Sequence, residues 1–211
     1  MLIAGAKRHA IEVLELFHHL DQLENLYFFD DLTISDGSLV FNKFPIIKNL
    51  VDVHNYFSTN PHFVLGLGNP LLRKKLAEKL ISEGGKLTSI ISDNANIGHY
   101  NVHLGIGLNV MQNAMISNSV KIGNASLINA FVSIHHDATV GEYCEVSPHA
   151  TLLGGCSIGA YTSIGSNATI LPNIKIGNNV IIGAGAVVTT NIPDNVIAYG
   201  VPAKIISTFN R

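Results

Sequence analysis

Stepping by six from Leu104 lands on Val110, Ile116, Ile122, Ile128, Ile134, Val140, Val146, Leu152, Ile158, Ile164, Ile170, Ile176, Ile182 and Val188. Every one of these positions is Ile, Val or Leu. Two residues earlier the chain is mostly small or β-branched: Ser126, Val132, Ala138, Cys144, Ala150, Cys156, Thr162, Ala168, Val180 and Ala186. One residue later Gly recurs, at Gly105, Gly123, Gly141, Gly159, Gly165, Gly177 and Gly183. A period of six matches neither a helix nor a flat strand. It matches a coil with straight sides and tight corners. Each side is a short strand with one aliphatic pointing inward, and each corner uses Gly or Asn, residues suited to a positive φ. Such hexapeptides mark a parallel β-helix. Stacked coils bury the aliphatic column, and no single coil is stable alone. No insertion breaks the phase, so a smooth solenoid is expected. Between residues 90 and 104 the phase slips: Ile91 and Ile97 are six apart but out of register with Leu104, which reads as a linker and a first irregular coil. Residues 191–194 are expected to end the solenoid.

The first ninety residues follow other periods. Leu2-Ile3-Ala4 is a short apolar strand, turning through Gly5-Ala6-Lys7-Arg8-His9 into a helix that continues to about Leu20. Val13, Leu16, Phe17 and Leu20 give that helix one apolar face. Leu26-Tyr27-Phe28-Phe29 is a second strand, ending in Asp30-Asp31. Phe44-Pro45-Ile46-Ile47 leads into a short helix over residues 49–57. His62-Phe63-Val64-Leu65 is a third strand, and residues 66–70 turn into a helix over 71–82 with Arg73, Lys74, Lys75, Glu78 and Lys79 as its wet face. Glu83-Gly84-Gly85 stops it, and a further strand spans residues 87–91. Strand and helix in alternation predict a small, parallel, Rossmann-like α/β domain over 1–90, followed by the β-helix over 91–211. Ligands in such sheets sit at the carboxyl ends of strands. Here those ends are residues 5–9, Asp30-Asp31 and residues 66–69. The Gly-x-Gly-x-x-Gly dinucleotide fingerprint is absent. The bare Gly5 turn serves equally as a plain strand-to-helix turn, Asp30-Asp31 as a solvated strand end, and Gly68-Asn69 as a helix cap.

Composition narrows the class. The 211 residues are 47% hydrophobic and only 13% charged, enough for a sizeable core and for solenoid sides that pack on other sides. A net charge of −2 provides no basic field for nucleic acid. The start, Met-Leu-Ile-Ala-Gly, lacks the charged region and long apolar run of a signal peptide, and no apolar stretch reaches membrane-spanning length. Cys144 and Cys156 fall on the inward small position, which favours buried thiols over a disulfide. A cytoplasmic protein is expected.

The repeat resembles the hexapeptide acyltransferases, quoted in Ile158-Gly159-Ala160-Tyr161-Thr162-Ser163 and Ile176-Gly177-Asn178-Asn179-Val180-Ile181. Left-handed winding of the β-helix is what the resemblance implies. The α/β-then-β-helix layout is similar to the nucleotide-sugar N-acetyltransferases of the bacillosamine and perosamine type, related to the sialic acid O-acetyltransferases. In that family the first turn reads Gly-Ala-small-Gly-His, the second strand ends in Asp-Asp and the third in Gly-Asn, and the chain ends in Gly-x-Pro-Ala-Lys. This chain keeps Gly5, Ala6, His9, Asp30, Asp31, Gly68 and Asn69, and its tail reads Gly200-Val201-Pro202-Ala203-Lys204. The resemblance implies that the first turn and Gly68 hold the phosphates and ribose, while Asp30 and Asp31 face the base and sugar side. Lys7 and Arg8 depart from the family's small residues. They either grip a pyrophosphate or fill its place.

Acetyl transfer to an amine needs a base for the proton and donors for the oxyanion. Histidine suits the first task, and a carboxylate on its other nitrogen fixes the tautomer. The corner His135-His136-Asp137 after inward Ile134 offers these parts. The family's His-then-acid motif before Val140-Gly141 makes His136 the base and Asp137 its partner. A metal reading is weak, because adjacent residues diverge. By the same resemblance, acetyl-CoA is the co-substrate and lies along the seam between β-helices of a homotrimer. It meets Glu145, where many relatives carry His, then Ser166 and Ala184, with Lys204 toward a phosphate. The expected activity is acetylation of the 4-amino group of a nucleotide-linked 4-amino-4,6-dideoxy sugar, for surface glycans such as the lipopolysaccharide O-antigen. UDP, dTDP and GDP remain open as the nucleotide. The rivals are O-acetylation of a sialic acid-type sugar and a non-catalytic β-helix scaffold.

Overall fold

The computed structural model describes residues 1–32 and 38–209. Its first part is a six-stranded sheet of β1 (Leu2–Ala4), β2 (Tyr27–Phe29), β3 (Leu39–Val40), β4 (Phe44–Ile47), β5 (His62–Leu65) and β6 (Lys86–Leu87). They lie in the order β3-β4-β2-β1-β5-β6. All pairings are parallel except β3 with β4. Three helices connect the strands: α1 (His9–His19), α2 (Leu50–Phe57) and α3 (Pro70–Ser82). The segment read as a lead into α2 is itself β4, a strand that the Pro45 signal hides. The chain moves from β1 to one side for β2 and β4, and to the other for β5 and β6. The switch point therefore falls at β1, where ligands of such sheets bind.

Residues 87–91 are not one strand. Lys86–Leu87 closes the α/β sheet on β5, whereas Ile90–Ile91 opens the β-helix by pairing with Asn109–Val110. The segment read as a linker and irregular coil is a full coil in register, with Ile91 opposite Val110, Ile97 opposite Ile116 and Leu104 opposite Ile122. Its extra residue is absorbed in the corner between Ile97 and Leu104. Thereafter each coil pairs with the next eighteen residues on, building three flat sheets, and the left-handed β-helix encloses one core column from Leu108 to Ala203. Val196–Gly200 and Ala203–Thr208 finish it as an antiparallel hairpin.

The glycines after the aliphatics do not supply positive φ. Every sixth residue between 107 and 185 does: Ala125, Phe131, Asp137, Tyr143, His149 and Tyr161 as well as Asn113, Asn167, Asn173 and Asn179. The recurring glycines instead let coils approach closely. A Cβ on Gly159 would lie 2.5 Å from the backbone of Gly177 and 2.6 Å from that of Asn178. Backbone cannot step aside, so Gly159→Ala is expected to cost about 1–3 kcal/mol, as overpacking does, read as a lowered Tm. An unchanged Tm would contradict this close-approach account.

The two parts share their cores. Met111 and Leu127 of the β-helix pack with α1 and β2, and Ala125 packs with Phe57 and Leu80. The wet face read for α3 is corrected at Arg73, which has 0% exposure. Pro70, Arg73, Ala77 and Leu80 form the buried stripe of α3. Lys74, beside Arg73, lies over the Tyr161 ring, which stacks on Tyr143, so α3 is fastened to a corner of the prism.

Candidate functional site

The turn after β1 is shaped by close packing. Gly5 has φ +115, and its N–H donates to the Phe29 carbonyl at 2.8 Å. A Cβ on Gly66 would meet Ala10 Cβ at 2.7 Å. The strand ends thus crowd together and leave a cavity of about 460 Å³ lined by Gly5, Lys7, Arg8, His9, Asp30, Asp31, Gly68 and Asn69. The structure brings all eight expected substrate-side residues to this one wall. It adds Lys75 and Lys79, one turn apart on α3, which the sequence reading placed only in water.

Charge in the cavity is mixed, with an excess of cations. Lys79 Nζ pairs with Asp31 Oδ2 and lies 5.8 Å from the Phe29 ring centroid. Lys7 and Arg8 are exposed at its mouth. Arg8 is the N-cap of α1 and makes no side-chain capping bond, so the helix end adds partial positive charge. Asn69 both lines the cavity and caps α3, its Oδ1 accepting from the N–H groups of Leu71 and Leu72 at 3.1 Å. His9 is held by Glu12, with Nδ1 2.7 Å from Oε2. Burial lowers its pKa below the ordinary histidine value. With Nδ1 turned to Glu12, Nε2 is buried and has no hydrogen-bond partner among the described residues.

The second constellation lies on the β-helix. His136 and Asp137 occupy a corner between the two sheets on which the α/β domain does not pack. Their side chains are 69% and 65% exposed. His136 Nδ1 is 2.8 Å from Asp137 Oδ2, which fixes the proton on Nδ1 and leaves Nε2 free to accept one. Asp137 reaches back because its φ is 60°. Gly154, one coil on, makes room for the ring: a Cβ there would meet His136 Cε1 at 2.6 Å. The sequence reading did not single out Gly154. Neither His136 nor Asp137 lines the cavity, so one chain does not bring the two constellations together.

Glu145 is half-buried against the loop after β5, where a Cβ on Gly68 would lie 2.7 Å from Oε1. Burial raises its carboxyl pKa, opposed by the charge of Arg73. Arg73 is lowered by burial to about 9, opposed by Glu145. Ser166 and Ala184 stand on successive coils of the corner beyond the other end of Glu145's sheet, joined by Gly185 N–H to Ser166 carbonyl at 2.8 Å. Nothing lies within 4 Å of a Cβ on Gly185, so the corner is an open track of small residues that suits an extended chain with amides. Lys204 is exposed in the closing hairpin, opposite Tyr199. Burial pushes the thiols of Cys144 and Cys156 up to about 12 and about 11, which leaves neither a nucleophile. Among the described residues no cluster of three or more His, Cys, Asp or Glu could hold a metal ion, and no helix is long and apolar enough to cross a membrane.

Two family models match the chain: the PglD N-terminal domain over residues 1–80, and the bacterial transferase hexapeptide (six repeats) over residues 119–154 and 155–190. Among solved structures, PerB from Caulobacter crescentus, bound to CoA and GDP-perosamine, is 30% identical with a TM-score of 0.87, covering 98% of this chain and 96% of that one. The acetyltransferase domain of PglB from Neisseria gonorrhoeae is 29% identical with a TM-score of 0.87, covering 97% of this chain and 98% of that one. WeeI from Acinetobacter baumannii is 27% identical with a TM-score of 0.86, at 97% and 98% coverage.

Proposed function

Because this chain belongs to the hexapeptide-repeat nucleotide-sugar N-acetyltransferases of the perosamine and bacillosamine type, an acyltransferase family that draws on acetyl-CoA, we propose that it acetylates the 4-amino group of a nucleotide-linked 4-amino-4,6-dideoxy sugar. The observation that carries the substrate class is the convergence of eight residues from three strand ends on one cation-rich cavity. Lys7, Arg8 and the uncapped end of α1 supply positive charge for a diphosphate. Asp30 and Asp31 supply acceptors for base, ribose and sugar donors.

The chemistry follows from His136 and Asp137. The sugar amine attacks the thioester carbonyl, and His136 Nε2 takes the proton that the amine sheds. The C–N bond forms, the C–S bond breaks, and the thiolate leaves with a proton returned from the imidazolium. Asp137 holds the tautomer and stabilises that imidazolium. With His136 exposed on a corner away from its own chain's cavity, the reading requires a homotrimer in which one subunit's His136 serves a neighbour's cavity. Acetyl-CoA would lie along Glu145, Ser166 and Ala184, with Lys204 toward its phosphates. The product would enter surface-glycan assembly.

Calorimetric titration of UDP, dTDP and GDP tests the pocket. The parent is expected to bind one of them, and the double variant Lys7→Ala, Arg8→Ala to bind it about tenfold more weakly, the equivalent of one charge-assisted hydrogen bond. Equal affinity in parent and variant would show that these side chains do not grip the phosphates, and no binding in the parent would overturn the nucleotide reading.

A further inference from the structure

Arg73 has no solvent exposure, on a helix whose other cations lie at or near the surface. Its guanidinium donates in three directions: Nη1 to the Leu67 carbonyl at 2.6 Å, Nε to the Ala125 carbonyl at 2.8 Å, and Nη2 to Asn109 Oδ1 at 2.7 Å. The first acceptor lies in loop 66–69 between β5 and α3. The other two lie in the β-helix. One rigid planar group therefore bridges the cavity loop to the solenoid. The loop is confined from the other side too, since Gly68 lies against Glu145 and Gly66 against Ala10. Leu67 and Gly68 line the cavity. Glu145 acts on Arg73 through space rather than in contact: among the described residues Arg73 has no ion-pair partner within salt-bridge distance.

A buried charge is a poor source of stability, because an apolar side chain of similar volume often serves as well. What an apolar side chain cannot supply is three directed donors. We propose that Arg73 is a positioning residue that fixes loop 66–69 on the β-helix and so sets where a bound nucleotide sugar sits relative to the acyl donor. This rests on the proposed function, since it needs that cavity to hold the sugar nucleotide. Acyl transfer demands that the reacting atoms lie within about 3–3.5 Å, so a loop that relaxes by an ångström misplaces the amine. Ser166 and Ala184 lie on another corner and are untouched by the loop.

The test is Arg73→Met in the full chain, with steady-state kinetics in both substrates and hydrogen exchange at the amides of Leu67, Gly68 and Asn69. The expected result is a KM for the nucleotide sugar raised about tenfold or more, a kcat lowered by a similar factor, as misplacement predicts, a smaller change in KM for acetyl-CoA, whose proposed path meets the loop only through Glu145 beside Gly68, and faster exchange confined to the loop. Arg73→Lys, which keeps the charge but loses the fork, is expected to fall between parent and Met variant, and carries the test if the Met variant does not fold. A role in fold stability alone would lower Tm and the active fraction while leaving both KM values and the loop exchange at parent values, and that result overturns the inference. A parent inactive on every nucleotide sugar overturns the functional reading instead, while unchanged loop exchange in the variant still refutes the role assigned to Arg73.

Discussion

Replacing His136 with alanine is expected to lower kcat by about 10²–10⁴-fold, the usual contribution of a positioned general base, with KM for acetyl-CoA close to the parent value. The expectation comes from geometry. Asp137 Oδ2, 2.8 Å from Nδ1, commits the proton to that nitrogen and leaves Nε2 as the only acceptor on the ring. The ring rests over Gly154, and both side chains are largely exposed, so truncation opens no cavity in the core. The variant should therefore melt like the parent, and the loss should appear in the chemical step alone. Single-turnover thiol release separates that step from binding. A kcat within a few fold of the parent, with the protein intact, would remove His136 from the proton transfer.

Ile164→Ala is expected to destabilise the protein by about 2–5 kcal/mol, the range for deleting most of a fully buried aliphatic. That is a large part of a typical stability of about 5–15 kcal/mol. Ile164 is paired in register with Val146 on one coil and Ile182 on the next, and none of the three exceeds 1% exposure. In a solenoid each coil is held by its two neighbours, so the gap weakens both contacts at once. Short strands on three sheets, locked by main-chain bonds at every step, cannot collapse into the space. Urea unfolding followed by circular dichroism measures the loss. A destabilisation under about 1 kcal/mol, less than an Ile→Ala deletion costs where the core cannot relax, would mean that the column is not the principal support of this part of the chain.

The solenoid was legible because its constraint is strictly periodic. One inward aliphatic per side leaves a mark every six residues, and the small position two residues earlier is buried without exception among Ser126, Val132, Ala138, Cys144, Ala150, Cys156, Thr162, Ala168, Val180 and Ala186. The corners were read with the wrong division of labour. Positive φ falls three residues after the aliphatic, where Phe131, Tyr143 and Tyr161 adopt it despite their side chains. The glycine column instead reflects coil-to-coil distance, which only coordinates reveal. In the α/β part, Leu2–Ala4, His62–Leu65 and the three helices were plain from pattern. β3, β4 and β6 were not, because strands of two residues or with proline carry little periodic signal.

The cavity wall was legible from the position of turns at strand ends, a rule of topology that needs no contacts. Arg73 was misread because charge was taken to mean water. Its spacing argued otherwise: Pro70, Arg73, Ala77 and Leu80 recur at the step of one helical face, and an arginine in that slot faces inward. Glu145 could not be assigned a neighbour from sequence, since Gly68 is far away along the chain. The separation of His136 from its own chain's cavity is likewise invisible in one dimension.

The measurement that bears most directly on this account is thiol release from acetyl-CoA with UDP-, dTDP- and GDP-linked 4-amino-4,6-dideoxyhexoses, with free sialic acid beside them. The account predicts rapid release with at least one nucleotide-linked amino sugar, a product heavier by one acetyl group at the C4 nitrogen, and no release with sialic acid. Release with sialic acid alone, or with none of these acceptors, would contradict it.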